Sequence, residues 1–153
     1  MAKLFESSTD VVELAERKFE ETGMMHIGIN LKVLSCSRAK TILKVQRANG
    51  ITHALTKKDI IITVFEEAFD RLSDEHKEIL MEGCISNVSY DSEKDKIMVD
   101  SDFANEIFRM RKKYTNYVDI AEESYLVIQQ IEDEERERKE QERLAKKEKK
   151  NKK

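Results

Sequence analysis

With 153 residues, 39% of them hydrophobic and 39% charged, the chain has apolar material for one core of roughly 100–120 residues and not for two. Its net charge of −3 is the small difference between 28 basic and 31 acidic side chains, and the segment 132–153 carries +2 of it, leaving the body at −5; a body of that sign lacks the clustered positive charge with which nucleic-acid binders displace counterions. No stretch approaches the roughly 18 uninterrupted apolar residues of a membrane span, the first residues hold no apolar run of signal-peptide length, and two cysteines without CxxC spacing, Cys36 and Cys84, suit a reduced, cytoplasmic protein.

Ser7-Ser8-Thr9-Asp10 offers capping oxygens, and Val11, Leu14, Ala15 and Phe19 recur at helical spacing until Gly23, which predicts a first helix. From Met25 to Val33, the residues Ile27, Ile29, Leu31 and Val33 alternate with smaller or polar ones, the period of a half-buried strand. Residues 37–56 fit either a strand or a helical turn around Ile42, Leu43 and Val45, with Asn49-Gly50 as a turn signal. The β-branched run Ile60-Ile61-Ile62-Thr63-Val64-Phe65 predicts an interior strand. After a helical turn over 66–72, Ser73 caps a helix from 74 to about 88, with Asp74 and Glu75 at the positive end of its dipole and Ile79, Leu80, Cys84 and Val88 on neighbouring faces.

Tyr90 to Val99 reads as a polar loop or hairpin, and Ser101-Asp102 can cap a further helix carrying Phe103, Ile107, Met110 and Tyr114 on one stripe. A last helix from about Asn116 presents Val118, Ala121, Tyr125 and Ile128, and its apolar stripe ends at Ile131. Beyond that point the chain is charged on all faces, supported by pairs four residues apart such as Glu132/Arg136 and Glu135/Lys139, and no proline interrupts it. The expected organisation is one domain over 1–131 and a charged helical or disordered tail over 132–153 that projects into solvent.

The strand at 59–65 followed by Asp70-Arg71-Leu72-Ser73-Asp74-Glu75-His76-Lys77-Glu78 resembles the metallopeptidase family encoded in bacteriophages and prophages, in which a strand and an Asp-x-Leu-Thr-Asp-Glu-Gln-Lys-Glu segment lead into a helix bearing His-Glu-x-x-His. The likeness runs from about Leu34 to Tyr114. It implies an α+β, zincin-like fold, a small sheet with packed helices, extended here by a long charged C-terminal helix. Such a site sets two imidazoles one helical turn apart on Zn2+, with a glutamate beside the first to deprotonate the bound water.

Carried onto this chain, the motif puts Gly83 at the first ligand, Cys84 at the general base and Asn87 at the second ligand, with the third histidine near Ser101 or Asp102. None supplies an imidazole. The resemblance therefore implies a degenerate member with no metal, no cofactor and no catalytic residue, in which restoring His at positions 83, 87 and 101 recreates zinc affinity. Removing a glycine from mid-helix at 83 is expected to favour the helix by up to ~1 kcal/mol.

Other residue clusters point to no chemistry. Cys84 has no neighbouring His or second Cys and reads as a small buried hydrophobe. His26, His53 and His76 fall in three separate segments, and the acids at 91, 93 and 95 lack the Gly and Glu that a calcium loop places sixth and twelfth. A chain of this kind is expected to act by binding a host or phage protein in the cytoplasm of a bacterial cell. The alternatives are a virion structural or assembly component, and a nucleic-acid-associated protein whose contacts are Lys146, Lys147, Lys149, Lys150, Lys152 and Lys153. Membranes are not among the expected partners.

Overall fold

The β-branched run at 60–64 lies inside a sheet, as its chemistry requires. A computed structural model describes residues 2–152, and in it β4 (Ile60–Val64) sits between β2 (Leu31–Cys36) and β3 (Leu43–Arg47), with the short β1 (Leu4–Glu6) outside β2. β2 and β4 are parallel, Leu31 opposite Ile60, whereas β1 and β3 each run antiparallel to their neighbour. Ile60, Ile62 and Val64 are fully buried and join Val33 and Leu31 in the main core. Full burial of one such side chain stabilises by about 1.5–3 kcal/mol.

Of the helices around the sheet, α4 and α5 start at side-chain caps, whereas Ser8, before α1, makes no capping hydrogen bond with its side chain. α1 (Thr9–Glu20) buries Val11, Ala15 and Phe19, and α4 (Asp74–Ile85) follows Ser73, whose hydroxyl accepts from the His76 amide at 3.2 Å. α5 (Phe103–Arg111) is capped by Asp102, which accepts from the Ala104 amide at 2.9 Å. Between α4 and α5 the chain makes a hairpin of β5 (Val88–Asp91) and β6 (Lys96–Val99), and Asp91 is taken up in its turn, accepting from the Glu93 and Lys94 amides. α2 (Gly50–Thr56) and α3 (Glu66–Phe69) flank β4. The architecture is α+β.

Several expectations need correction. Residues 25–33 are not one strand: Gly23 and Gly28, at φ of 78° and 88°, bracket a 3-10 turn at Met24–Ile27, and the strand begins only at Leu31. Those left-handed positions suit glycine and interrupt the extended backbone that the alternation of isoleucines suggests. Asn49-Gly50 marks a helix start and not a hairpin, since the Asn49 side chain accepts from the Thr52 amide at 2.8 Å.

The last helix, α6 (Tyr117–Asn151), buries Tyr117, Ile120, Ala121, Ser124, Val127, Ile128 and Ile131. The buried stripe is thus turned by one residue from the expected Val118 and Tyr125, because the small Ser124 goes inward and bonds back to the Ala121 carbonyl at 2.6 Å. α6 runs unbroken across 131/132, and the first turn of the charged segment is tied to the body: Arg71 reaches Glu134 at 2.7 Å and Arg38 pairs with Glu135. Glu135 also pairs with Lys139, as the spacing predicts, while Arg136 turns to Asp133 and not to Glu132. No helix among the described residues is long and apolar enough to cross a membrane.

Candidate functional site

β3 is an edge strand, and its amide pattern decides what that edge offers. The Phe65 amide donates to the Ile42 carbonyl at 2.8 Å and the Ala48 amide to the Asp59 carbonyl at 2.9 Å. In the register Leu43 opposite Val64, alternation then turns the backbone groups of Lys44 and Gln46 toward β4 and those of Leu43, Val45 and Arg47 outward. Beside this edge lies a groove of about 720 Å3, with Leu43 and Val45 on one wall and Asn87, Ser101, Phe103 and Glu106 among its other lining residues. Its lining also mixes charge, Arg38, Lys40 and Lys44 with Asp100 and Glu106. A cavity of about 90 Å3 shares Leu43, Cys84 and Phe103 with the groove and reaches in to Leu80, Tyr117 and Ala121.

The sequence-predicted positions meet here, in an arrangement the sequence did not suggest. Gly83, buried within α4, faces Tyr117 from α6: a Cβ built on Gly83 would stand 2.0 Å from the tyrosine hydroxyl and 2.8 Å from Cζ. The phenol therefore occupies the space a first-ligand side chain would need. Its hydroxyl donates to Glu106 Oε2 at 2.6 Å, and Asn87 Nδ2 donates to Glu106 Oε1 at 2.7 Å. Arg109, one turn along α5 from Glu106, donates to Asn87 Oδ1, to Ser86 Oγ at 3.4 Å and to Asp100 Oδ2 at 3.4 Å. Every side-chain polar group of Asn87 is thus committed to a protein partner.

Burial keeps two groups in and beside this network protonated, Tyr117 and Cys84. Burial, reinforced by the Glu106 carboxylate and its hydrogen bond, pushes the Tyr117 phenol far above its ordinary range, so it remains a donor. Burial likewise pushes the Cys84 thiol far up, with the nearby Glu106 charge adding to the effect. A protonated, buried thiol is a poor nucleophile. Asp100 is held below the usual carboxylate range, first by the Asp102 amide, then by Asn105 and Arg109.

These residues do not fit zinc. Gly83 has no donor atom and its cradle is filled, and both polar ends of Asn87 are engaged. Ser101, on the exposed loop before α5, lines the groove but supplies a single hydroxyl. Among the described residues no group of three or more His, Cys, Asp or Glu is placed to hold a metal ion. No protein-family profile, curated protein or solved structure matches this chain.

Tyr117, Glu106 and Arg109 organise the site and were not singled out in the sequence. The spacing of Glu106 and Arg109, three residues apart on a helix, was the available signal; the partnership of Tyr117 with Gly83 spans 34 positions and leaves no local trace. The other candidates lie elsewhere. Lys146, Lys147, Lys149, Lys150 and Lys152 are exposed near the end of α6, past its last buried residue, and Lys153 lies outside the described residues.

Proposed function

We propose that this chain is a metallopeptidase-like, zincin-like protein of phage origin that no longer hydrolyses peptides and acts by holding an extended segment of a host or phage protein along β3. The observation that carries this reading is the outward-facing amide row of Leu43, Val45 and Arg47 beside a 720 Å3 groove. An unpaired edge gives an incoming strand main-chain hydrogen bonds, and flanking pockets receive alternate side chains. The small cavity bounded by Ile42, Leu80 and Phe103 suits one small apolar side chain. The phage origin rests on the sequence likeness around 59–80, which also makes the bacterial cytoplasm its place of action.

The test uses the edge itself. Val45→Pro removes an outward N–H while sparing the β4 ladder, a substitution that edge strands tolerate. In extracts of phage-infected bacteria, the tagged wild-type protein is expected to retain a partner identifiable by mass spectrometry, and Val45→Pro, with an unchanged circular dichroism spectrum, is expected to lose it. Equal retention by both would overturn the groove as the binding site. Abundance of the chain in purified particles, without a captured partner, would favour a virion component.

A further inference from the structure

The arm formed by α6 beyond its last buried residue, Ile131, runs 20 residues to Asn151, about 30 Å at 1.5 Å per residue. Its charges are not evenly spread. At about 100° per residue, Arg136, Lys139, Arg143, Lys146, Lys147 and Lys150 leave the helix within one sector about 100° wide, and every residue of 136–150 in that sector is basic. Glu137, Glu140 and Glu148 gather on one adjoining face and Glu142 stands on the other, while Arg138, Lys149 and Lys152 point elsewhere. Arg136 and Lys139 are engaged by Asp133 and Glu135. Among the described residues, Arg143, Lys146, Lys147 and Lys150 form no ion pair.

From this stripe we infer that the arm binds the phosphate backbone of duplex nucleic acid, without reading sequence. The choice of partner follows from what the face lacks. Leu144 and Ala145 are the arm's only apolar residues and lie outside the stripe, so there is neither the apolar face that inserts into a bilayer nor the a/d seam of a coiled coil. What remains is a row of point charges on a straight rod, complementary to a polyanion. Compensation of the helix dipole does not account for it, because that effect is confined to the last turn and the stripe begins about three turns earlier, at Arg136.

The negative body does not oppose the contact. At physiological salt the screening length is about 8 Å, and the tip stands about 30 Å from the body. A protein with a net charge of −3 thereby carries a locally basic, electrostatically independent probe. This inference is independent of what the groove holds.

Fluorescence anisotropy with a labelled 20-base-pair DNA duplex of arbitrary sequence tests it, using the full chain. With four free cations engaged, log K is expected to fall against log salt with a slope of about −3 to −4, so affinity drops on the order of 100-fold between 50 and 200 mM salt. Arg143→Gln with Lys150→Gln is expected to weaken binding at least tenfold and roughly halve the slope. Lys149→Gln with Lys152→Gln, which removes the same charge off the stripe, is expected to stay within about threefold, and the charge-conserving Arg143→Lys to bind like the parent. Glutamine is a good helix former, and circular dichroism verifies that all variants keep the arm helical. No binding by the parent at 50 mM salt, equal losses in the two double variants, or tighter binding to poly-L-glutamate than to the duplex would each overturn the inference.

Discussion

Gly83 and Tyr117 are best understood as one object. A Cβ at 83 would stand 2.0 Å from a hydroxyl whose ring is fully buried, so the helix-propensity gain of up to ~1 kcal/mol expected for replacing a mid-helix glycine is outweighed by overpacking, typically about 1–3 kcal/mol. Gly83→Ala is therefore expected to lower the denaturation midpoint. Tyr117→Phe in the same chain should restore part of the loss and no more, since Cζ would remain 2.8 Å from the new methyl. On its own, Tyr117→Phe leaves Glu106 Oε2 without its donor and is expected to destabilise by about 1–3 kcal/mol. Chemical denaturation of the four-member cycle measures the coupling. It follows that a zinc-binding variant needs Tyr117→Ala in addition to His at 83, 87 and 101; without it, Gly83→His is expected to unfold α4 before it ligates anything.

Among the elements, those announced by nearby residues were legible and those fixed by distant ones were not. The Ile60–Val64 strand, the Ser73 and Asp102 caps and the start of α6 all rest on signals within a few positions. β1, three residues long, exists because it pairs with β2 around Phe5 and Ser35, and nothing in Leu4-Phe5-Glu6 announces a partner 30 residues away. The groove was equally illegible, because an edge strand differs from an interior one only in what lies beside it. The α+β class was implied by the family resemblance, and the observed helices and mixed sheet agree with it.

Two outcomes follow at this scale. Ile62→Ala is expected to cost about 2–5 kcal/mol, and Ile61→Ala less, because Ile62 belongs to the main core cluster and Ile61, although buried, does not; comparable costs would place Ile61 in the same core. Truncation after Glu140 should leave the melting temperature unchanged. Removal of 132–153 also deletes Glu134 and Glu135, the partners of Arg71 and Arg38, and is expected to lower it by about 2–4 °C, a small shift because solvent screens exposed pairs.

For the molecule as a whole, acid should loosen the joints between elements before it touches the core. At Glu82, burial pushes the carboxyl up, but hydrogen bonds from Lys113 and Tyr114, each at 2.6 Å, together outweigh it and hold the group below its ordinary range. Asp100 is held low by its amide and side-chain donors, and Glu134 by Arg71. A carboxylate with a depressed folded pKa binds its proton first in the unfolded chain, so its contribution is full above the unfolded value of about 4 and is lost as pH falls through the folded one. Thermal melts are expected to be flat from pH 7 to about 5 and to drop below about 4.5, with Glu82→Gln showing a shallower drop. An unchanged acid limb in that variant would remove Glu82 from the account.

One unbroken helix joins the two ends of this protein. Tyr117 and Tyr125 line the cavity or groove near the start of α6, and its basic stripe ends at Lys150. With no proline in the chain to kink it, α6 behaves as a lever gripped by the core and tied to the body as far as Glu135, its remaining turns projecting beyond. Tilting the gripped half by 10° would sweep the tip through about 4 Å over the roughly 24 Å beyond Glu135, comparable to the axial step of about 3.4 Å between phosphates of one strand. A displacement too small to disturb the packing around Ile120 and Ile128 would thus change which phosphates the tip can touch.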